Sequence, residues 1–256
     1  ALKGLGDIAV GNVVGSNIAN ILLILGTAVL IAPASVAAKL VRLDGPIMVA
    51  ASLALLAVLR DGMAARTEGL LLVLALAVYV GFTFRQARRE TDAVQAEFAE
   101  AAPRVGTGTA VATQVLLVLA GLALLVAGGH LLVTGAVALA SGLGVSQAAI
   151  GLTIVAVGTS LPELATSTVA AARGQGDIAL GNVVGSNIFN ILGILGLTAA
   201  VEPLALGAIT WLDLSVMTAV AVVLVLRMRA GRRIERADGA VLIAGFIAYT
   251  LWLLPV

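Results

Sequence analysis

The chain has 256 residues, 61% hydrophobic and 11% charged, with a net charge of +1 and a mean hydropathy of +1.12. A water-soluble domain carries roughly 25% charged residues, so water is not the main solvent of this protein. The net charge says nothing about partners, and the absence of cysteine excludes a disulfide framework and a thiolate metal site.

Ile8 to Ala38 and Ile178 to Val201 carry no charge, and each exceeds the roughly 20 residues a spanning helix needs. Hydrophobic helices are predicted over 8–36, 45–60, 67–84, 109–140, 146–172, 178–201, 206–226 and 238–255. Nothing at the start resembles a cleavable signal peptide; the chain opens on Ala1 and enters a motif within six residues, which reads as a cut. The second helix is short, because Asp44 and Arg60 enclose only fifteen uncharged residues, so flanking residues must snorkel or the bilayer thin. Arg85 to Gly108 reads as a loop, with Arg85, Arg88, Arg89, Glu90, Asp92, Glu97, Glu100 and Pro103. It separates a first part, 1–84, from a second, 109–256.

Counting Lys and Arg by side orients the spans. One side receives Lys39, Arg42, Arg85, Arg88, Arg89, Arg104, Arg173, Arg227, Arg229, Arg232, Arg233 and Arg236, the other only Lys3, Arg60 and Arg66. The basic side, with 85–108, is therefore expected in the cytoplasm and the carboxyl terminus outside. Membrane anchoring accounts for the arginines; no nucleic-acid role is expected.

A shift of 170 residues aligns ALKGLGDIAVGNVVGSNIANILLILGT (1–27) with AARGQGDIALGNVVGSNIFNILGILGL (171–197), identical at 20 of 27 positions. Pro33 then falls opposite Pro203. The first copy enters its helix from the outer side and the second from the cytoplasmic side. That is an inverted repeat, the architecture of secondary transporters whose site lies near the midplane between repeats.

Within GLTIVAVGTSLPELATSTVAAARG (151–174) one charge precedes the terminal arginine: Glu163, about mid-span. A carboxylate there costs at least a few kcal/mol unless it meets a cation or a partner. Pro162 removes a backbone donor and Gly158 loosens the same turn, so the helix is expected to break and to free carbonyl oxygens such as that of Ala156. Thr159 and Glu163, like Ser160, Glu163 and Ser167, are spaced by three and four, which puts their oxygens on one face. Carboxylate, carbonyl and hydroxyl oxygens are what a hard cation such as Na⁺ or Ca²⁺ takes as ligands.

In the repeated helices Asn12, Ser16 and Asn20 recur every four residues, as do Asn182, Ser186 and Asn190. Ser16, Asn20, Ser186 and Asn190 read as ion-lining. Asn12, Asn17, Asn182 and Asn187 stand between that role and interhelical glue. Gly11 and Gly15, with Gly181 and Gly185, let another helix approach. Asp7 and Asp177 read as helix caps. His130 reads as a packing residue, with an ion or proton relay as the alternative. Glu202 and Asp213 read as surface residues at outer span ends, and Trp211, Trp252 and Tyr249 as an interfacial belt.

GTSLPE (158–163) followed by GDIALGNVVGSNIFN (176–190) resembles the alpha-repeat signature of the cation/calcium antiporter superfamily, in particular of prokaryotic sodium/calcium exchangers. The resemblance implies an all-α membrane protein with the inverted-repeat sodium/calcium exchanger fold, of whose ten transmembrane helices eight are present here. It implies that each repeat directs one glutamate from its proline-broken helix at a central Ca²⁺ or Na⁺. The matching positions are Glu163, with Thr159, Ser160 and the Ala156 carbonyl; the partner helices contribute Ser186 and Asn190, and Ser16 and Asn20. By the same resemblance the first repeat's own broken helix falls before Ala1, so two helices and one glutamate are expected to be absent. The implied activity is Ca²⁺ exchange for Na⁺ by alternating access in the plasma (inner) membrane, with no cofactor, no required oligomer, and lipid and the transported ions as partners. Asn20 and Asn190 are amides, which favours Na⁺ over H⁺; K⁺ or H⁺ movement, Ca²⁺/H⁺ exchange and an inactive fragment stay open. An intramembrane hydrolase is disfavoured, because Ser160 has no histidine near it in sequence.

Overall fold

A computed structural model of the protein describes the backbone of residues 5–101, 108–207, 209–231 and 233–253. Side chains are described within those ranges except at 5–8, 87–101, 108–111 and 147. The spans are helical for the reason lipid imposes: a backbone without water must pair its polar groups within the segment.

The first span joins α1 (Leu5–Ala19), a π turn (Asn20–Leu25) and α2 (Gly26–Ile31). Pro33 ends it, forcing Ala32 to an extended φ of −145° and ψ of 132°, and β1 (Ala34–Ser35) follows. A π turn (Leu40–Asp44), α3 (Gly45–Val58) and a 3₁₀ turn (Leu59–Asp61) make the second span. Gly62, at φ 84°, turns the chain into β2 (Met63–Ala64) and α4 (Arg66–Ala101). α5 (Gly108–Gly142) is the fourth span.

The fifth span consists of α6 (Gln147–Ile150), a π turn (Gly151–Val155), α7 (Ala156–Thr159) and α8 (Leu161–Ala172). It bends by 51° at Ser160, where the missing Pro162 N–H and the proline ring break the ladder. α9 (Gly176–Phe189), a π turn (Asn190–Leu195) and α10 (Gly196–Val201) form the sixth. Pro203 then repeats the stop made by Pro33, with Glu202 at φ −142° and ψ 127°. β3 (Leu204–Ala205), α11 (Trp211–Ala230), β4 (Arg233–Ile234) and α12 (Arg236–Leu253) complete the described chain. Seven helices among the described residues are long and apolar enough to cross a membrane, eight with the bent pair counted as one span.

The inverted repeat extends beyond its sequence signature. Two π turns begin on Asn20 and Asn190, positions 170 apart. β1 pairs antiparallel with β4, Ala34 opposite Ile234, and β2 pairs with β3, Ala64 opposite Leu204. Adding 170 to 34 and 64 gives 204 and 234, so the repeat exchanges one strand pair for the other. The pairs tie the ends of spans one and seven together, and those of spans two and six.

The first and sixth spans form the centre. In the first, 78% of the most apolar stretch is buried, against 6% in α5. Val14, Ile18, Leu180, Val184 and Ile188 are fully buried between them and their neighbours, while the exposed leucines and valines of α5 face outward, where lipid lies.

Three expectations are corrected. The supposed loop 85–108 is helical through Ala101; a charged, alanine-rich segment sustains a helix once it projects beyond the bilayer. The second span is not short, because Asp44 lies buried within it, satisfied by Tyr79 Oη–H at 3.0 Å and Lys39 Nζ at 4.0 Å. Asp213 is not a surface residue: it is 2% exposed. Its Oδ2 accepts from the Thr210 N–H at 2.8 Å and from Thr210 Oγ1 at 2.7 Å, and its Oδ1 from Tyr249 Oη at 2.8 Å. That capping box starts α11, and it holds Tyr249 in the interior instead of at the interface.

Candidate functional site

The bent fifth span lies against the first. A Cβ on Gly15 would stand 2.4 Å from the Leu152 carbonyl oxygen and 2.8 Å from the Ala156 Cβ, so only glycine lets α1 approach this closely. The approach brings α1 hydroxyl and amide oxygens onto the kink. Ser16 Oγ donates to the Ala156 carbonyl at 3.3 Å and lies 3.4 Å from Thr159 Oγ1. Thr159 Oγ1 is 2.8 Å from Asn12 Oδ1. Ser16, Ala156 and Thr159 therefore meet as expected, and Asn12 joins them.

The Ala156 carbonyl is not freed by the break. It accepts from the Ser160 N–H at 3.2 Å as well as from Ser16 and Thr159. The carbonyl that loses its donor to Pro162 is the one four residues back, Gly158. Gly158 also serves a second purpose that loosening does not describe, since a Cβ there would stand 2.0 Å from Val133 Cγ2 of α5.

Beyond the kink, Glu163 is half-buried on the first turn of α8, and its Oε2 is enclosed without a hydrogen-bond partner. Asn182 of α9 secures the same helix, donating to Ser167 Oγ at 2.9 Å, to Thr166 Oγ1 at 3.0 Å and to the Glu163 carbonyl at 3.4 Å. Ser167 is fully buried. Ser160, at the bend, is 4% exposed.

Where α1 and α9 meet, four asparagines form a symmetric knot. Asn20 Nδ2 donates to Asn187 Oδ1 at 2.9 Å and Asn190 Nδ2 to Asn17 Oδ1 at 3.1 Å. Asn187 Nδ2 also reaches the Asn17 carbonyl at 3.2 Å. Met48 and Met217 close the knot as weak sulfur acceptors from Asn187 and Asn17. Asn17 and Asn187 are therefore interhelical glue. Asn20 is divided: its amide nitrogen is used in the knot, while its Oδ1 is buried without a partner on a π turn that packs against α8. Ser186 is half-buried on α9.

Two enclosed acceptors without donors, Glu163 Oε2 and Asn20 Oδ1, thus lie in helices that touch. An unsatisfied buried oxygen calls for an explanation, and a hard cation is one that oxygen atoms of these kinds supply. A π turn, which releases a carbonyl from the α-helical ladder, is frequent at functional positions. A cavity of about 270 Å³ lined by Gly158, Thr159, Pro162, Gly129 and His130 opens on the kink from the α5 side. His130 is exposed in its wall, not packed. No cluster of three or more His, Cys, Asp or Glu side chains occurs among the described residues, so Glu163 stands as an isolated carboxylate. Gln175, not Asp177, is the N-cap of α9; Asp177 lies in its first turn, where a carboxylate suits the helix dipole. The side chain of Asp7 lies outside the described residues.

The family model described as "Sodium/calcium exchanger protein" matches residues 1–85 and 113–254. The inner membrane protein YrbG of Escherichia coli (strain K12) is 38% identical over 98% of this chain and 79% of its own length. The putative antiporter CaxA of Alkalimonas amylolytica is 42% identical over 97% of this chain and 79% of its own. The solved sodium-calcium exchanger NCX_Mj, soaked with 100 mM Na⁺ and 10 mM Sr²⁺, superposes with a TM-score of 0.77 at 28% identity, over 99% of this chain and 79% of that one. With the inverted repeat, the bent glutamate-bearing span and the paired asparagine helices already established, the chain belongs to the sodium/calcium exchanger protein family, a family of membrane transporters and not of enzymes.

Proposed function

We propose that this protein exchanges Ca²⁺ for Na⁺ across the membrane by alternating access, with Glu163, Asn20, Ser16, Thr159, Ser160, the Ala156 carbonyl, Ser186 and Asn190 contributing to the ion path. The reading rests first on the two buried acceptors without partners, Glu163 Oε2 and Asn20 Oδ1. Each is an oxygen of a kind that Na⁺ and Ca²⁺ accept as a ligand. A sodium ion is balanced by Glu163 alone; a calcium ion calls for a second negative charge in so low a dielectric. By the family resemblance, that charge comes from the first repeat's own broken helix.

Alternation is supported by the packing. The first and sixth spans cross through the asparagine knot, and each is held at one side of the membrane by a strand pair, so a shift of one against the kink opens one side and closes the other. The basic ends at Lys39, Arg173, Arg227 and Arg233 face the cytoplasm in this reading. The amides at Asn20 and Asn190 release no proton, which supports Na⁺ as the coupling ion.

Inverted membrane vesicles holding the protein are expected to take up Ca²⁺ when loaded with Na⁺, and to stop when the Na⁺ gradient is collapsed. Undiminished uptake driven by a pH gradient in Na⁺-free medium would instead establish H⁺ as the coupling ion.

A further inference from the structure

An amide side chain has an acceptor on one edge and donors on the other, and only the oxygen edge serves a hard cation. At Asn20 that choice is made by a chain of contacts that starts from groups unable to donate. Asn187 Nδ2 faces the Asn17 main-chain carbonyl at 3.2 Å and the Met48 thioether at 3.8 Å, and both are acceptors only. Asn187 must turn its nitrogen to them, which leaves its Oδ1 for Asn20. Asn20 answers with Nδ2 at 2.9 Å, so its own Oδ1 turns out of the knot, where it is enclosed without a partner. Asn17, Asn20, Asn187 and Met48 are each no more than 2% exposed, so water does not compete for these groups.

The inverted repeat supplies the device a second time. Adding 170 converts Asn17 to Asn187 and Asn20 to Asn190, and Met217 stands to Asn17 as Met48 stands to Asn187. Asn17 Nδ2 faces Met217 Sδ at 3.7 Å, which leaves its Oδ1 for Asn190 Nδ2 at 3.1 Å. Asn190 Oδ1 is thereby turned out of the knot as well. The two relays are not equally firm. Asn187 is anchored by a carbonyl and a thioether, whereas Met217 is the one acceptor of Asn17 Nδ2 among the described residues, and a thioether is a weak acceptor.

We propose that Asn187 and Asn17 are positioning residues for cation binding: each belongs to one repeat and holds the other repeat's ion-path asparagine with its oxygen edge toward the ion. The inference rests on the proposed ion path through Asn20 and Asn190. Joining two helices requires only that the knot be closed, but serving a cation requires that it be closed in one direction. An amide turned the other way presents N–H groups, whose positive ends repel a cation.

The test is the Na⁺ midpoint for thermal stabilisation of the intact detergent-purified protein, with choline replacing Na⁺ at constant ionic strength. Asn187→Leu is expected to raise that midpoint on the order of tenfold, as when a group that orients a metal ligand is removed. Asn20→Asp has oxygen on both edges and needs no orienting, so adding Asn187→Leu to it is expected to move the midpoint by less than about twofold. A role confined to joining helices would shift the Na⁺ midpoint equally in both backgrounds, and that result would overturn the proposal. Met217→Leu and Met48→Leu conserve volume and rank the two relays. The first is expected to weaken Na⁺ severalfold, and the second by less, because the Asn17 carbonyl still anchors Asn187. Equal shifts from the two, or a larger one from Met48→Leu, would also overturn the proposal, whether or not Asn187→Leu folds. Vesicle uptake of Ca²⁺ is read separately: a protein that shows the expected Na⁺ shifts yet takes up no Ca²⁺ loses the exchange reading and keeps this inference.

Discussion

At the scale of single residues, the candidate site is a matter of which polar atoms have partners. Thr159, Ser16 and Asn12 satisfy one another, while Glu163 Oε2 and Asn20 Oδ1 do not. The expectation is therefore unequal loss. Glu163→Gln keeps the shape and removes the charge, and is expected to lower Ca²⁺ uptake into vesicles by at least a hundredfold, since a buried charged contact is worth about 3 kcal/mol or more. Asn20→Ala is expected to cost less in uptake, roughly tenfold, and also about 1–3 kcal/mol of stability through the donor lost to Asn187, read as a lower melting temperature. Ser186→Ala removes a half-buried hydroxyl that the proposed ion path uses, and is expected to lower Ca²⁺ uptake severalfold while changing stability by no more than about 0.5 kcal/mol, read as an unaltered melting temperature. Glu163 was legible in the sequence because a lone carboxylate in an apolar span has no bland explanation. Asn17 and Asn187 were ambiguous, because helical spacing tells which residues share a face but not which helix will cross that face. Asp213 was misread for a related reason: its burial depends on Tyr249, 36 residues away.

At the scale of elements, glycine and proline set the geometry that those residues need. Pro162, Pro33 and Pro203 act as their chemistry dictates, bending one span and ending two others; the break at Pro162 was expected, whereas the helix predicted over 8–36 ran through Pro33, which in fact stops it at Ile31. The π turns were not legible in the sequence. Nothing in the local composition of NILLIL or NILGIL separates a helix of one width from the other, because the extra residue is accommodated by packing against α8 and α12 in the first span and α4 in the sixth. The strand pairs escaped notice for a similar reason. Two-residue strands have no periodicity to detect, and their partners lie about 140 or 200 positions apart. Gly15 supplies the element-scale test. Gly15→Ala places a methyl 2.4 Å from the Leu152 carbonyl oxygen, which forces α1 off the kink, and overpacking of this sort costs typically 1–3 kcal/mol. The variant is expected to melt at a lower temperature and to lose uptake together. Gly81→Ala, on a face of α4 with nothing within 4 Å of the new methyl, is the matched control and is expected to be neutral or slightly stabilising through helix propensity.

At the scale of the whole molecule, charge and strand pairing are independent witnesses to one arrangement of the spans. The Lys and Arg count puts the ends near residues 39 and 233 on one side and those near 60 and 66 on the other. The strands, which carry no information about charge, join Ser35 to Arg233 and Met63 to Ala205. Two ends that share a sheet cannot lie on opposite faces of a bilayer, so an even number of crossings separates Ser35 from Arg233, as between Met63 and Ala205. Which face is cytoplasmic rests on the basic residues alone. The protein contains no cysteine, so single cysteines report without a background. Asp61→Cys lies at the turn between the second and third spans, and Glu235→Cys at the start of the last. In intact cells a membrane-impermeant maleimide is expected to label Asp61→Cys, and to label Glu235→Cys only after permeabilisation. The reverse pattern would invert the orientation while leaving the strand pairing and the inverted repeat intact. Labelling of both from outside would mean that an even number of spans lies between them, as when α6–α7 and α8 form a re-entrant loop in place of one crossing.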